Sequence, residues 1–201
     1  MLTLINQLGN RLRGRLGGTE VQERRILLFG QVERRENGLY YVLTEDTPYT
    51  GMIRRWRNKE EISDQMEFRY GALHGATISW YASGSILAHH RHSPINRRRK
   101  HEIHYVCGQK HGLETRWYFD GRPSHHGEYQ LGLKHGMHLQ WYHNGQKRSE
   151  MEYQEGLVCD GTWCRWHANG QIAYEDTYQD NFKLKRKVLS PDGQVILESV
   201  Y

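Results

Sequence analysis

Apolar and polar residues alternate through Gly136-Met-His-Leu-Gln-Trp141, with Met137, Leu139 and Trp141 set against His138 and Gln140. A period of two predicts a half-buried strand with the Met/Leu/Trp side inward. Asn144-Gly145 follows, a strong short-range hairpin signal because both residues tolerate positive φ. The return strand then puts Lys147, Ser149, Met151 and Tyr153 on one face and Arg148, Glu150 and Glu152 on the other. Segments such as Tyr129-Gln-Leu-Gly-Leu-Lys-His-Gly136 supply a second turn into the next hairpin. The predicted unit is two strands of an antiparallel meander.

The unit recurs along the chain. Gly51, Gly75, Gly112, Gly136 and Gly161 are each followed five residues later by a tryptophan: Trp56, Trp80, Trp117, Trp141 and Trp166. Return strands carry Tyr129, Tyr153 and Tyr178 at a shared place, and a sixth unit closes with Leu184, Leu189, Gly193 and Tyr201. Most units are 24 or 25 residues apart, but 37 residues separate Gly75 from Gly112. A lone hairpin is marginal in water, whereas stacked copies add nearest-neighbour contacts. The tryptophans and the three tyrosines are therefore expected to form a structural core, in an all-β, elongated meander of about six stacked hairpins.

Composition supports a thin sheet over a thick globular core. Only 37% of the 201 residues are hydrophobic, and Phe is outnumbered by Tyr and Trp, which bury wide apolar area while keeping a polar tip. The formal charge of +5 suits an acidic partner or merely a soluble basic surface. Cys107, Cys159 and Cys164 form neither a paired framework nor a zinc spacing. No apolar run approaches the ~20 residues of a membrane span, and no secretory signal is evident. A cytoplasmic protein is the expectation.

The pattern G-x4-W/Y-Y-x-x-G followed by Y-x-x-G-x-x-x-G resembles the MORN repeat, more closely the variant of bacterial YwqK-type antitoxin proteins. Gly38-Leu-Tyr-Tyr41 and Thr47-Pro48-Tyr49-Thr50-Gly51 are similar to the opening of that family. The resemblance covers residues 31 to 201. It implies a MORN-like fold and a protein that neutralises a toxin or effector by direct binding. Related arrays that act as scaffolds on phospholipid supply the alternative, a MORN-type scaffold on anionic membrane lipid. The motif has no catalytic residues, so it implies no enzyme, cofactor or metal, and no nucleic acid is expected.

Candidate binding residues lie where the repeat fails. The long interval holds His89, His90, Arg91, His92, Arg97, Arg98, Arg99, Lys100, His101 and His104. It fits either a solvated hairpin tip or an electrostatic docking loop for an acidic protein, with Arg91, Arg97, Arg98, Arg99, Lys100 and His101 as contacts. The histidines recur with no ligand spacing and read as surface imidazoles. Residues 1–25 form a basic segment apart from the repeat domain at 26–201. Leu2, Ile5, Leu8, Leu12 and Leu16 have helical spacing beside Arg11, Arg13 and Arg15, and the first 19 residues contain no acid. That segment fits a membrane surface, an acidic partner, a cap on the first hairpin or an irregular end. In the last strand, Ile196 and Val200 stand opposite Val195 and Leu197, an apolar edge open to a homodimer or a partner strand.

Overall fold

The computed structural model describes residues 25–58, 61–82 and 98–201. The basic N-terminal residues 1–24, and Arg91 and Arg97 within the insertion, lie outside them.

The chain opens with β1 (Arg25–Leu28), a short 3-10 turn, and a small hairpin of β2 (Val32–Arg34) and β3 (Tyr40–Val42). The repeats follow: β4 (Gly51–Trp56) with β5 (Ile62–Arg69), β6 (Ala72–Trp80) with β7 (Arg99–Val106), and β8 (Gln109–Trp117) with β9 (Pro123–Gln130). Next come β10 (Leu133–Trp141) with β11 (Lys147–Gln154), the two-residue β12 (Leu157–Val158), β13 (Gly161–Trp166) with β14 (Ile172–Gln179), and β15 (Phe182–Leu189) with β16 (Val195–Val200). From β4 onward, neighbours in the 14-stranded sheet follow chain order, and β1 adds in parallel beside β4. The expected all-β meander of stacked hairpins is what the chain forms.

Two kinds of turn alternate, and the sequence reading of one is corrected. At the tips, the Gly145 N–H donates to the Tyr142 carbonyl and the Tyr142 N–H to the Gln146 carbonyl. Gly145 takes positive φ, but Asn144 does not. Asn144 instead accepts from the Gln146 N–H with its side chain and donates to the Ala168 carbonyl. This is the turn-plus-left-handed-glycine form, with a bulge opposite the tryptophan. Two consecutive positive φ values occur at the other end, in Leu131-Gly132, Cys107-Gly108, Tyr70-Gly71, Glu155-Gly156 and Asp180-Asn181.

The buried face is also the reverse of the one expected. Register places Ile53, Met66, Thr77, Ile103, Glu114 and Gly127 in one cross-strand row. The row resumes through Met151 opposite His138 and through Trp163, Asp176 and Arg186. Ile53, Ile103, Glu114, His138 and Asp176 are buried on this side, which also carries Tyr129, Tyr153 and Tyr178. On the opposite face Met137 is 38% exposed and Leu113 is exposed. Alternation separates two faces without saying which is covered. In a single layer, the side with long Tyr, Lys and Arg side chains lying over the row becomes the buried one.

The tryptophans do line up on the Met137/Leu139 side as one row along the tips, paired with Ile62, Arg99, Pro123, Lys147 and Ile172. They are not a buried core: Trp56 is 40% exposed and the other four are half-buried, as are Tyr129, Tyr153 and Tyr178. Among the described residues no second layer covers them. The apolar core lies at the N-terminal end, where Val42 and Tyr49 pack on Ile53 and Phe68. There the Tyr49 hydroxyl reaches the Arg25 and Met52 carbonyls at 2.6 and 2.8 Å, and burial pushes its pKa up to about 12.

Candidate binding surfaces

Along the tips, each unit is tied to the next by a side chain one residue past its tryptophan position. Arg57 donates to the Trp80 carbonyl, Tyr81 to Trp117, Tyr118 to Trp141, Tyr142 to Trp166, and His167 Nε2 to Leu189. At the opposite edge the turn glycines Gly71, Gly108, Gly132 and Gly156 donate their N–H groups to carbonyls of Tyr49, Leu73, Lys110 and Lys134. Both margins of the sheet are thus pinned from unit to unit.

The described part of the basic insertion is engaged in these contacts. Arg98 donates to the Phe119 carbonyl and stacks over its ring, and Arg99 bridges Glu102. Lys100 lies over Tyr81, and His101 Nε2 meets Glu114 Oε1 at 2.8 Å. Four of the expected contact residues therefore serve the array itself in this structure, with their side chains already facing an internal acceptor, carboxylate or ring.

The buried face contains two ion clusters. Glu114 is fully buried between Arg116, His101 and Lys110. Burial opposes its charge, but the hydrogen bonds from His101 and Arg116 win and hold its pKa well below the usual carboxylate range. Asp176 is held bidentately by Arg186 at 2.6 and 2.7 Å, with Lys183 at 3.4 Å. Between the clusters His138 is 6% exposed, stands edge-on to Tyr129 and Tyr153, and donates from Nε2 to the Glu128 carbonyl at 2.9 Å. Its Nδ1 has no hydrogen-bond partner among the described residues and faces Gly127, where a Cβ would come within 2.4 Å. Burial lowers its pKa, and lowers that of His125 to about 4. Lys110 lies over the Tyr129 ring at 4.6 Å and Lys134 over Tyr153 at 4.4 Å. Among the described residues no group of three His, Cys, Asp or Glu side chains is placed to hold a metal ion.

The feature sequence reasoning missed is the edge formed by the inter-unit turns. Tyr70, Leu131, Leu133, Leu157 and Phe182 lie along it, each 51% to 73% exposed. Cys107 occupies the equivalent turn position between Tyr70 and Leu131, and it too is exposed. Nearby, Glu128, Glu152, Glu155, Asp160 and Asp180 form no ion pair among the described residues, unlike Glu114 and Asp176. One recess on this edge is lined by Glu155, Leu157, Val158, Cys159, Asp160 and Asp180, and another lies by the Tyr70-Gly71 turn, lined by Thr50, Gly51, Arg69 and His74. The first opens where the β11–β13 pairing narrows to Ser149 with Arg165 and β12 takes up the rest of β11. The available signal was Leu-Gly-Leu at 131–133, hydrophobic residues flanking a turn that ordinarily favours Asn, Asp and Gly.

In β16 Ile196 and Val200 are 65% and 80% exposed, and among the described strands β16 pairs only with β15.

Two segments, residues 134–155 and 160–180, match the MORN repeat variant family. They coincide with the β10–β11 and β13–β14 hairpins. No curated protein matches the chain. The matched repeats, set in a continuous antiparallel meander, mark the chain as a repeat scaffold or binding module.

Proposed function

We propose that the protein is a non-enzymatic binding module of the antitoxin or immunity type, neutralising a protein toxin or effector by direct surface contact. The supporting observation is the apolar row on the turn edge, Tyr70, Leu131, Leu133, Leu157 and Phe182, held by a sheet pinned along both margins. Large apolar side chains left exposed turn after turn along one edge mark a contact surface, and a pre-ordered sheet loses little conformational entropy on binding.

The test is recovery of the tagged full chain from its native host. A single co-purifying protein that is toxic alone, and harmless when co-expressed with this chain, is the expected result. Replacing Leu133 and Leu157 by Asp should abolish rescue while leaving the circular dichroism of the sheet unchanged. Recovery without any protein partner would sink the reading. The same purification with Ile196→Asp and Val200→Asp asks whether β16 contributes to partner binding or to a homodimer.

A further inference from the structure

We infer that the turn edge is also the docking site of the chain's own N-terminal segment, residues 1–19. The inference rests on the edge being a docking surface, but not on what the partner is.

Three observations converge. The edge pairs exposed Leu131, Leu133, Leu157 and Phe182 with Glu128, Glu152, Glu155, Asp160 and Asp180, which have no ion partner among the described residues. This is the chemistry that receives a cationic amphipathic segment. Residues 1–19 have that composition: Leu2, Ile5, Leu8, Leu12 and Leu16 at three- and four-residue spacing, Arg11, Arg13 and Arg15, and no acid. Local acidity on a chain of net charge +5 favours this segment over the rest of the surface.

Reach is sufficient. Nine strand steps separate β1, where Arg25 begins the sheet, from the recess between β11 and β13, about 43 Å at ~4.8 Å per step. Residues 17–24, starting with Gly17-Gly18, span up to about 26 Å when extended. Residues 1–16 as a helix add about 24 Å. Laid across the turns, the leucines run along the row from Leu131 toward Phe182, while Arg11, Arg13 and Arg15 fall between Glu128 on β9 and Glu152 on β11.

The experiment uses the full chain carrying Cys159→Ser and Cys164→Ser, with a nitroxide on Cys107, the exposed cysteine in the row. The expected result is broadening of the amide signals of residues 2–19, relieved when the nitroxide is reduced. Arg11→Glu, Arg13→Glu and Arg15→Glu together should restore those signals, as should Leu133→Asp with Leu157→Asp, while signals of β4–β9 stay in place. Unaltered chain in about 1 M salt, where the Debye length is about 3 Å, should also lose part of the broadening. Unbroadened signals in the nitroxide form would overturn the inference. So would broadening found only between differently labelled chains in a mixed sample, since a second copy would then supply the segment. Failure here with successful toxin rescue leaves the proposed function standing; the converse separates the two equally well.

Discussion

At the scale of single residues, the meander depends on a few close approaches in which an ionisable or bulky group meets bare backbone. Gly127 is one: His138 lies against the place where its Cβ would stand, 2.4 Å from Nδ1 and 2.5 Å from Cε1. Gly127→Ala must displace a ring wedged between Tyr129 and Tyr153, and is expected to cost roughly 1–3 kcal/mol, read as a lower urea midpoint. The same neighbourhood sets the acid response. His125 has its pKa lowered from 6.5 to about 4 by burial, so between those values the unfolded chain takes up a proton that the folded chain refuses. Stability therefore falls as pH drops through that window. Glu114 acts in the next window: its pKa is depressed in the fold, so its contribution is present above the ordinary 4.5 and lost below it. Urea midpoints measured from pH 7 to pH 3 should decline in both intervals, and His125→Gln should shrink the upper decline without touching the lower, the remainder coming from His138, whose pKa burial also lowers.

At the scale of strands and turns, the repeat shows what one sequence encodes and what it leaves open. Period-two alternation and spaced glycines located the hairpins and put the tryptophans in register, because strand geometry requires both. They did not reveal the buried face, because Met137/Leu139 and His138/Tyr153 alternate equally well; the choice depends on lysines and arginines folded over the row from neighbouring strands. The turn chemistry misled for a local reason. Asn144 serves better as a capping side chain bonded to Gln146 and Ala168 than as a left-handed residue. The unit-to-unit bond at the tips was invisible because its acceptor is backbone. Its contribution is measurable. Tyr118→Phe removes the donor to the Trp141 carbonyl at 2.6 Å and keeps the ring, so a loss of about 1 kcal/mol is expected. Tyr142→Phe should match it, since its bond to the Trp166 carbonyl has the same place in the next unit. A much smaller effect at both sites would show that water replaces these bonds.

At the scale of the molecule, the one cluster of buried apolar residues among those described lies at one end, around Val42, Tyr49, Ile53 and Phe68. Further along, Glu114 and Asp176 anchor their neighbourhoods by ion pairs instead. Because the described hairpins pair with their neighbours in the sheet order, stability should spread as a sum of adjacent terms and not as one global quantity. The β11–β13 step is the weak coupling, since a single register pair joins those strands directly. Ile53 is fully buried, and Ile53→Ala should cost about 2–5 kcal/mol where it sits. The prediction concerns how far that cost travels. Amide exchange should quicken in β4, β5 and β6, fade through β8 and β9, and stay at its original rate in β13, β14 and β15. Denaturation of the variant should then separate into two transitions, an early one for the N-terminal units and a later one for the rest. A uniform loss of protection from β4 to β15, with one shared midpoint, would show instead that the pinned margins couple the whole sheet into a single cooperative unit.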